Sequence, residues 1–192
     1  MNYQVVFSGI ILIFFAVCIF AKTIALRRRG IRAMVQGPPE KGDLILPVFV
    51  IALVYSALAR PLGLPMWDVL VQPFWEGAGP GWAGLIICAI ALAGLVLSLI
   101  SFGDSFRVGI DDKAPSKLMT GGMFGISRNP VYLCFLILVA GLFLIHHNIL
   151  ISIAAVFFTV MIHRQILREE SFLKTHYGTE YEDYCTKVRR YI

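Results

Sequence analysis

Five apolar runs dominate this chain and leave it few ways to fold. They fall at residues 3–26, 44–62, 82–102, 131–146 and 149–166, each near the length at which a helix crosses a hydrocarbon core about 30 Å thick. The residues are 58% hydrophobic and only 15% charged, which excludes an ordinary soluble domain and points to a polytopic membrane protein. The expected fold is all-α, with about five transmembrane helices. In 192 residues these leave room for short connections and one polar tail, not for a separate soluble catalytic domain. The first run is read as a retained helix, because its positive charges follow the apolar stretch and no small-x-small cleavage site closes it. Only His146, His147 and Asn148 separate the fourth run from the fifth. These two should form a tight antiparallel hairpin, with a re-entrant pair as the alternative because the fourth run is short.

Basic residues set an orientation. Arg27, Arg28, Arg29, Arg32 and Lys41 lie in the first connection, Arg107, Lys113, Lys117 and Arg128 in the third, and six more in the tail. With five spans these regions share one side, and Arg60 alone is a candidate for the other. The asymmetry predicts an N-terminus outside and a C-terminus in the cytoplasm. The formal charge of +5 then reads as topology and contact with anionic lipid headgroups, with nucleic acid a poor alternative.

Cys18, Cys88 and Cys134 sit inside apolar runs and Cys185 in the tail, without a CxxC or metal-ligand spacing. They read as small buried hydrophobes, and no disulfide is implied. His163 and His176 are too far apart for an i, i+4 metal pair, and His146 and His147 point different ways on any helix, so no metal is expected.

Polar residues of chemical interest collect in two stretches that this topology puts on one face. The first, from Asp111 to Tyr132, contains Gly121, Gly122 and Gly125, which permit unusual backbone angles or close approach, and Asn129-Pro130, which makes an extended turn and starts a helix. Arg128 stands there at the edge of an apolar run, either as an interfacial anchor or as part of a polar site. In the second, from His163 to Tyr184, a helix continuing past the membrane places Arg164 and Arg168 on one face, with Glu169 and Glu170 beside them. Beyond Gly178, Thr179 and Glu182 have the spacing of a capping box. Tyr181, Tyr184, Cys185, Val188 and Ile192 recur at helical spacing, with Arg189 and Arg190 near the C-terminal end of that helix.

The combination of Gly122, Phe124, "SRNPVY", a short apolar hairpin, "REE", "HYGTEYEDY" and "VRRYI" resembles the C-terminal signature of the isoprenylcysteine carboxyl methyltransferases and the related phospholipid methyltransferases. The likeness covers roughly residues 107–192, and the first two runs match in character alone. Asn129 stands where the family pattern usually has histidine. Asparagine can still position a partner but cannot titrate. The resemblance implies a membrane-embedded part, 1–106, and an integrated catalytic region, 107–192, with a cytoplasmic helical cap over the cofactor site. It implies S-adenosylmethionine as cofactor, held by Ser116, Lys117, Leu118, Met119, Phe124, Asn129, Pro130, Val131, Tyr132 and by Glu169 or Glu170. Arg164, or else Arg168, would face the acceptor, and Arg164, Arg128 and Glu169 form the expected catalytic set. Arg128 would order the cofactor loop through backbone carbonyls or through Glu169 or Glu170.

The expected reaction is methyl transfer to the carboxylate of a lipophilic, isoprenylcysteine-like acceptor. A carboxylate is already ionised at pH 7 and needs alignment more than a base. Three other readings stay open: N-methylation of a phospholipid amine or methylation of a small thiol on the same cradle, a membrane reductase, and a non-enzymatic carrier. The lack of charge inside the spans argues against the last.

Overall fold

The computed structural model describes residues 3–30, 67–103 and 118–192, together with the single positions 51, 55 and 65. Within these residues the chain forms α1 (Tyr3–Arg28), a single turn α2 (Asp68–Val71), α3 (Gly79–Phe102), a 3-10 turn (Gly122–Gly125), α4 (Pro130–His146), α5 (Ile149–Tyr177) and α6 (Thr179–Lys187). No strand occurs among the described residues. α1, α3 and α5 are each long and apolar enough to cross a bilayer, whereas α4 is apolar but has 17 residues, about 25 Å of helix. The run expected at 44–62 lies, apart from positions 51 and 55, outside the described residues, as do Ser116 and Lys117.

Local chemistry explains where the helices begin and end. Pro80 and Pro130 occupy the first turns of α3 and α4, where a missing N–H costs nothing. Asn148 caps α5 by accepting a hydrogen bond from the Ile151 amide at 2.9 Å, and with His147 it makes the hairpin between α4 and α5. Gly178, at φ +53°, both ends α5 and precedes α6, a conformation that favours glycine. The capping box expected of Thr179 and Glu182 does not form. Thr179 is already inside the helix, and Glu182 pairs with Lys174 at 3.0 Å instead.

α3 and α4 pack antiparallel, and two glycines let their backbones touch. A Cβ on Gly84 would lie 2.6 Å from the Gly141 carbonyl oxygen, and one on Gly141 would lie 2.6 Å from Cys88 Sγ. Such small-residue contacts suit helices in lipid, where close packing replaces the hydrophobic drive between helices. Around them Cys88, Ala91, Leu95, Cys134, Leu138 and Leu142 are buried. α1 joins this pair through Gln4 Nε2, which donates to the Ala78 carbonyl at 2.7 Å, and through Ser8 Oγ, 3.2 Å from His146 Nε2. The opposite end of the bundle, where α3 ends, α4 begins and α5 turns polar, carries the 3-10 turn and α6.

Candidate active site

The site begins with how α6 is held. Its inward residues Tyr181 and Tyr184 bury against Leu118 and Phe124, with Met119, Leu173, Tyr177, Cys185 and Val188 packed around them. The Tyr184 hydroxyl donates to the Phe124 carbonyl at 2.6 Å, and burial pushes its pKa up to about 12, against the opposing pull of Arg128, so it stays a donor. Val188 belongs to this cluster as expected, but Ile192 is 72% exposed. α6 ends at Lys187 and Val188 is extended, so the helical spacing does not continue to Ile192.

The chain beyond α6 doubles back. The Arg189 carbonyl accepts from the Arg128 amide at 3.0 Å, and the Arg190 carbonyl accepts from Ser127 Oγ at 3.2 Å and from Asn129 Nδ2 at 3.3 Å. The Tyr191 hydroxyl lies 2.7 Å from His163 Nδ1 on α5. Residues 188–192 thus strap the segment before α4 to α5. Arg190 does not serve the end of α6 as the sequence suggested, because a stronger partner is within reach.

That partner is Glu170, buried on α5. Its Oε1 accepts from Asn129 Nδ2 at 3.0 Å and faces Arg128 Nη2 at 3.5 Å, while its Oε2 accepts from Arg190 Nε at 3.0 Å with Nη2 at 2.8 Å. Both oxygens are engaged. Glu169, about 100° further round the helix, turns to α4 instead. It accepts from the Tyr132 hydroxyl and, at 2.9 Å, from Gln165 Nε2. Two adjacent glutamates therefore serve different neighbours.

A cleft of about 360 Å³ opens between these elements, lined by Arg128, Leu167, Glu170, Ser171, Lys174, Tyr181, Cys185 and Arg190. Of the expected site residues, Arg128 and Glu170 line it. Leu118, Phe124, Asn129 and Pro130 are buried and, like Met119, Val131, Tyr132 and Glu169, are not among its lining residues. Arg164 is exposed and stands three and seven residues before Leu167 and Ser171, hence on the cleft side of α5 but nearer its apolar end. Arg168 places a positive charge near Glu169. Among the described residues, no three His, Cys, Asp or Glu side chains come together as a metal site requires.

The profile of the phospholipid methyltransferase family matches residues 81–180. Two proteins of rice, Oryza sativa subsp. indica and subsp. japonica, each described as a probable protein-S-isoprenylcysteine O-methyltransferase, are 33% identical over 153 residues, 76% of this chain and 75% of theirs. The chain belongs to the isoprenylcysteine carboxyl methyltransferase and phospholipid methyltransferase family. With its apolar helices, it is an integral-membrane methyltransferase.

In this methyltransferase the matched stretch contains Arg128, Asn129, Tyr132, Gln165, Glu169 and Glu170. Sequence reasoning did not single out Gln165 or Ser127. Gln165 had a visible signal, its i, i+4 spacing from Glu169. Ser127 accepts from the Asn129 amide two residues on at 3.1 Å, a local turn that serine commonly makes. The link from Arg190 to Glu170 had no local signal.

Proposed function

We propose that this methyltransferase transfers a methyl group from S-adenosylmethionine to the carboxylate of a lipophilic, isoprenylcysteine-like acceptor, with its site on the cytoplasmic face. The reading is carried by the position of Arg164, an exposed guanidinium where the apolar part of α5 reaches a polar cleft. An acceptor arriving from the bilayer would meet this cation first. The rice relatives are named for the same chemistry.

The residues fit such a cofactor. The cleft's volume lies in the range of small-molecule sites. Leu167 and Tyr181 offer apolar walls, Ser171 offers a hydroxyl, and one buried donor, Arg128 Nε, has no hydrogen-bond partner among the described residues. S-adenosylmethionine, when bound, supplies an electrophilic methyl on a sulfonium. Family likeness assigns its contacts to Ser116–Met119, Phe124, Asn129–Tyr132 and to Glu169 or Glu170, of which Glu170 lines the cleft. Glu170, with both oxygens engaged, acts by positioning Arg128 and Asn129. Arg164 holds one carboxylate oxygen of the acceptor so that the other points at the methyl carbon, and no general base is needed because the nucleophile is ionised at neutral pH. The strap at residues 188–192 shields the segment before α4 from water.

The match to the phospholipid methyltransferase profile favours a second reading, N-methylation of a lipid amine. That reaction needs a base, for which His163 or a glutamate is the candidate: His163 Nδ1 is bonded to Tyr191, Glu169 to Tyr132 and Glu170 to Asn129. Labelled methyl transfer to a prenylcysteine acid and to phosphatidylethanolamine, in wild type, Arg164→Ala and Arg164→Lys, separates the two. Loss of an aligning charge should lower transfer to the acid by about a hundredfold in the alanine variant, with cofactor affinity unchanged. Lysine should rescue partly, since a point charge attracts but cannot fork across two oxygens. Full activity in Arg164→Ala overturns the assignment, and turnover of the amine substrate alone favours the second reading.

A further inference from the structure

One stripe of α5 runs along the cleft. Leu167, Glu170 and Lys174 line it, and His163 stands four, seven and eleven residues before them, a spacing that puts all four on one side of a helix. The stripe therefore continues for one more turn, about 6 Å, toward the apolar part of α5. The cleft does not. His163 is not among its lining residues, and at that turn the returning chain lies over the helix. The Tyr191 hydroxyl is 2.7 Å from His163 Nδ1, and the two rings stack at an interplanar angle of 29° with centroids 6.3 Å apart. The pair forms a wall between the cleft and the bilayer side of α5.

The strap is fastened unevenly along its length. Its inner part is tied to the segment before α4 by the Arg189 and Arg190 carbonyls, and to the buried Glu170 by the Arg190 guanidinium. Breaking that ion pair would leave a buried carboxylate short of a partner, which is costly. Beyond Arg190 the chain is held, among the described residues, by the bond between Tyr191 and His163, both half-buried. A single hydrogen bond within reach of water contributes little net stability, since water takes over the freed groups. Ile192 is 72% exposed and packs little to hold the end down. The last two residues can therefore swing aside while Arg190 stays on Glu170.

Opening there lengthens the cleft by one turn, to the level of Arg164, the exposed guanidinium that follows His163 in the chain. Resting on the reading that a lipophilic acid reaches this site from the bilayer, we propose that Tyr191 is the acceptor's gate. Closed on His163, it separates the cleft from the lipid side. Open, it joins the cleft to the apolar turns before Arg164, where Phe157 and Val160 are exposed. An acceptor held by Arg164 then lies with its carboxylate at the cleft and its tail along those turns. The segment before α4 keeps its place throughout, because the strap's bonds to it start at Arg189 and Arg190.

The test is methyl transfer by the purified full chain to a prenylcysteine acid, with titration of S-adenosylhomocysteine alongside. Tyr191→Phe keeps the ring and removes the bond to His163. With the gate less often closed, the KM for the acid should fall by about three- to tenfold, while kcat and the affinity for S-adenosylhomocysteine stay as in wild type. A second protein holds the gate shut. It carries His163→Cys and Tyr191→Cys in a background where Cys18, Cys88, Cys134 and Cys185 are serine, joined by a short reducible bis-methanethiosulfonate. The joined form should lose transfer by about tenfold or more, bind S-adenosylhomocysteine as before, and regain transfer on reduction. The same two cysteines capped with a monofunctional methanethiosulfonate should keep it. If this background is inactive even when reduced, Tyr191→Phe decides alone. An unchanged or raised KM in Tyr191→Phe, or a lowered kcat, makes the pair structural and overturns the gate. So does a joined form as active as its reduced form, or one that no longer binds S-adenosylhomocysteine, which would make the pair a wall of the cofactor's site. Wild type that binds S-adenosylhomocysteine and transfers nothing to the acid has a separate signature: the acceptor reading fails, and the gate fails with it.

Discussion

Glu169 and Glu170 are neighbours in sequence with different work to do. Glu170 neutralises two arginines and anchors Asn129, so its replacement by glutamine leaves Arg128 and Arg190 competing for one neutral acceptor. Arg190 is 36% exposed and water repays part of that loss. The expected cost to stability is therefore about 2 to 4 kcal/mol, at the lower side of what orphaning a buried pair costs. Glu169→Gln keeps an acceptor for Tyr132 and Gln165 and should leave stability nearly unchanged. If Glu169 contacts the cofactor, it should weaken binding by about 1 to 3 kcal/mol, as for one lost charge-assisted bond. Thermal unfolding and titration with S-adenosylhomocysteine on both variants check this, and a stability loss confined to Glu169→Gln would reverse the roles. Asn129 is equally specific. Its amide nitrogen donates twice, to Glu170 and to the Arg190 carbonyl, whereas a neutral histidine ring has one N–H to give. Asparagine at this place therefore ties the buried glutamate to the returning chain through one side chain.

At the scale of elements, the 3-10 turn joins α3 to α6. Gly122 sits at φ +61°, and a Cβ there would lie 2.5 Å from Ser101 Oγ, the atom that accepts the Met123 amide at 3.1 Å. Gly121 and Gly125 have no such constraint, since a Cβ on either meets nothing closer than 3.7 Å. Gly122→Ala should therefore lose about 1 to 2 kcal/mol from the left-handed backbone and a further amount from displacing Ser101. Adding Ser101→Gly should recover the second part and not the first. Thermal unfolding of the single and double variants measures the split, and complete recovery in the double variant would show that the backbone angle carries no penalty. Above the turn, the strap of residues 188–192 makes the site a product of three segments: the stretch before α4, the polar end of α5, and the returning chain.

For the whole molecule, the bundle presents apolar residues outward along α1, α3 and α5 and gathers its buried ion pairs at one end. Charge asymmetry in the sequence predicts that this end faces the cytoplasm. Single introduced cysteines test this in a background where Cys18, Cys88, Cys134 and Cys185 are replaced by serine. Thr186→Cys, exposed on α6, should react with an impermeant maleimide only after the membrane of intact cells is permeabilised. Tyr3→Cys, exposed at the start of α1, should react without permeabilisation. The reverse pattern would put the site on the other face.

Much of this fold was legible residue by residue because the signals are local. Apolar length marks α1, α3 and α5, Pro130 opens α4, Asn148 separates the hairpin helices, and Gly178 breaks α5 from α6. Each depends on whether a segment can satisfy its own backbone in lipid, a property that a short window contains. The polar residues that gather at one end were legible for the same reason. What tertiary structure decided is who pairs with whom. Glu169 and Glu170 are indistinguishable as a pair in a sequence, yet about 100° of helix rotation sends one to Tyr132 and the other to Arg128, Asn129 and Arg190. The capping box failed and the helical spacing stopped short of Ile192 for a related reason. Lys174, on the preceding helix, offered Glu182 an opposite charge, and a turned-back chain let Arg190 reach a buried carboxylate twenty residues away. Such pairings depend on how helices dock across the bundle, and that geometry is set by the packing of distant segments together.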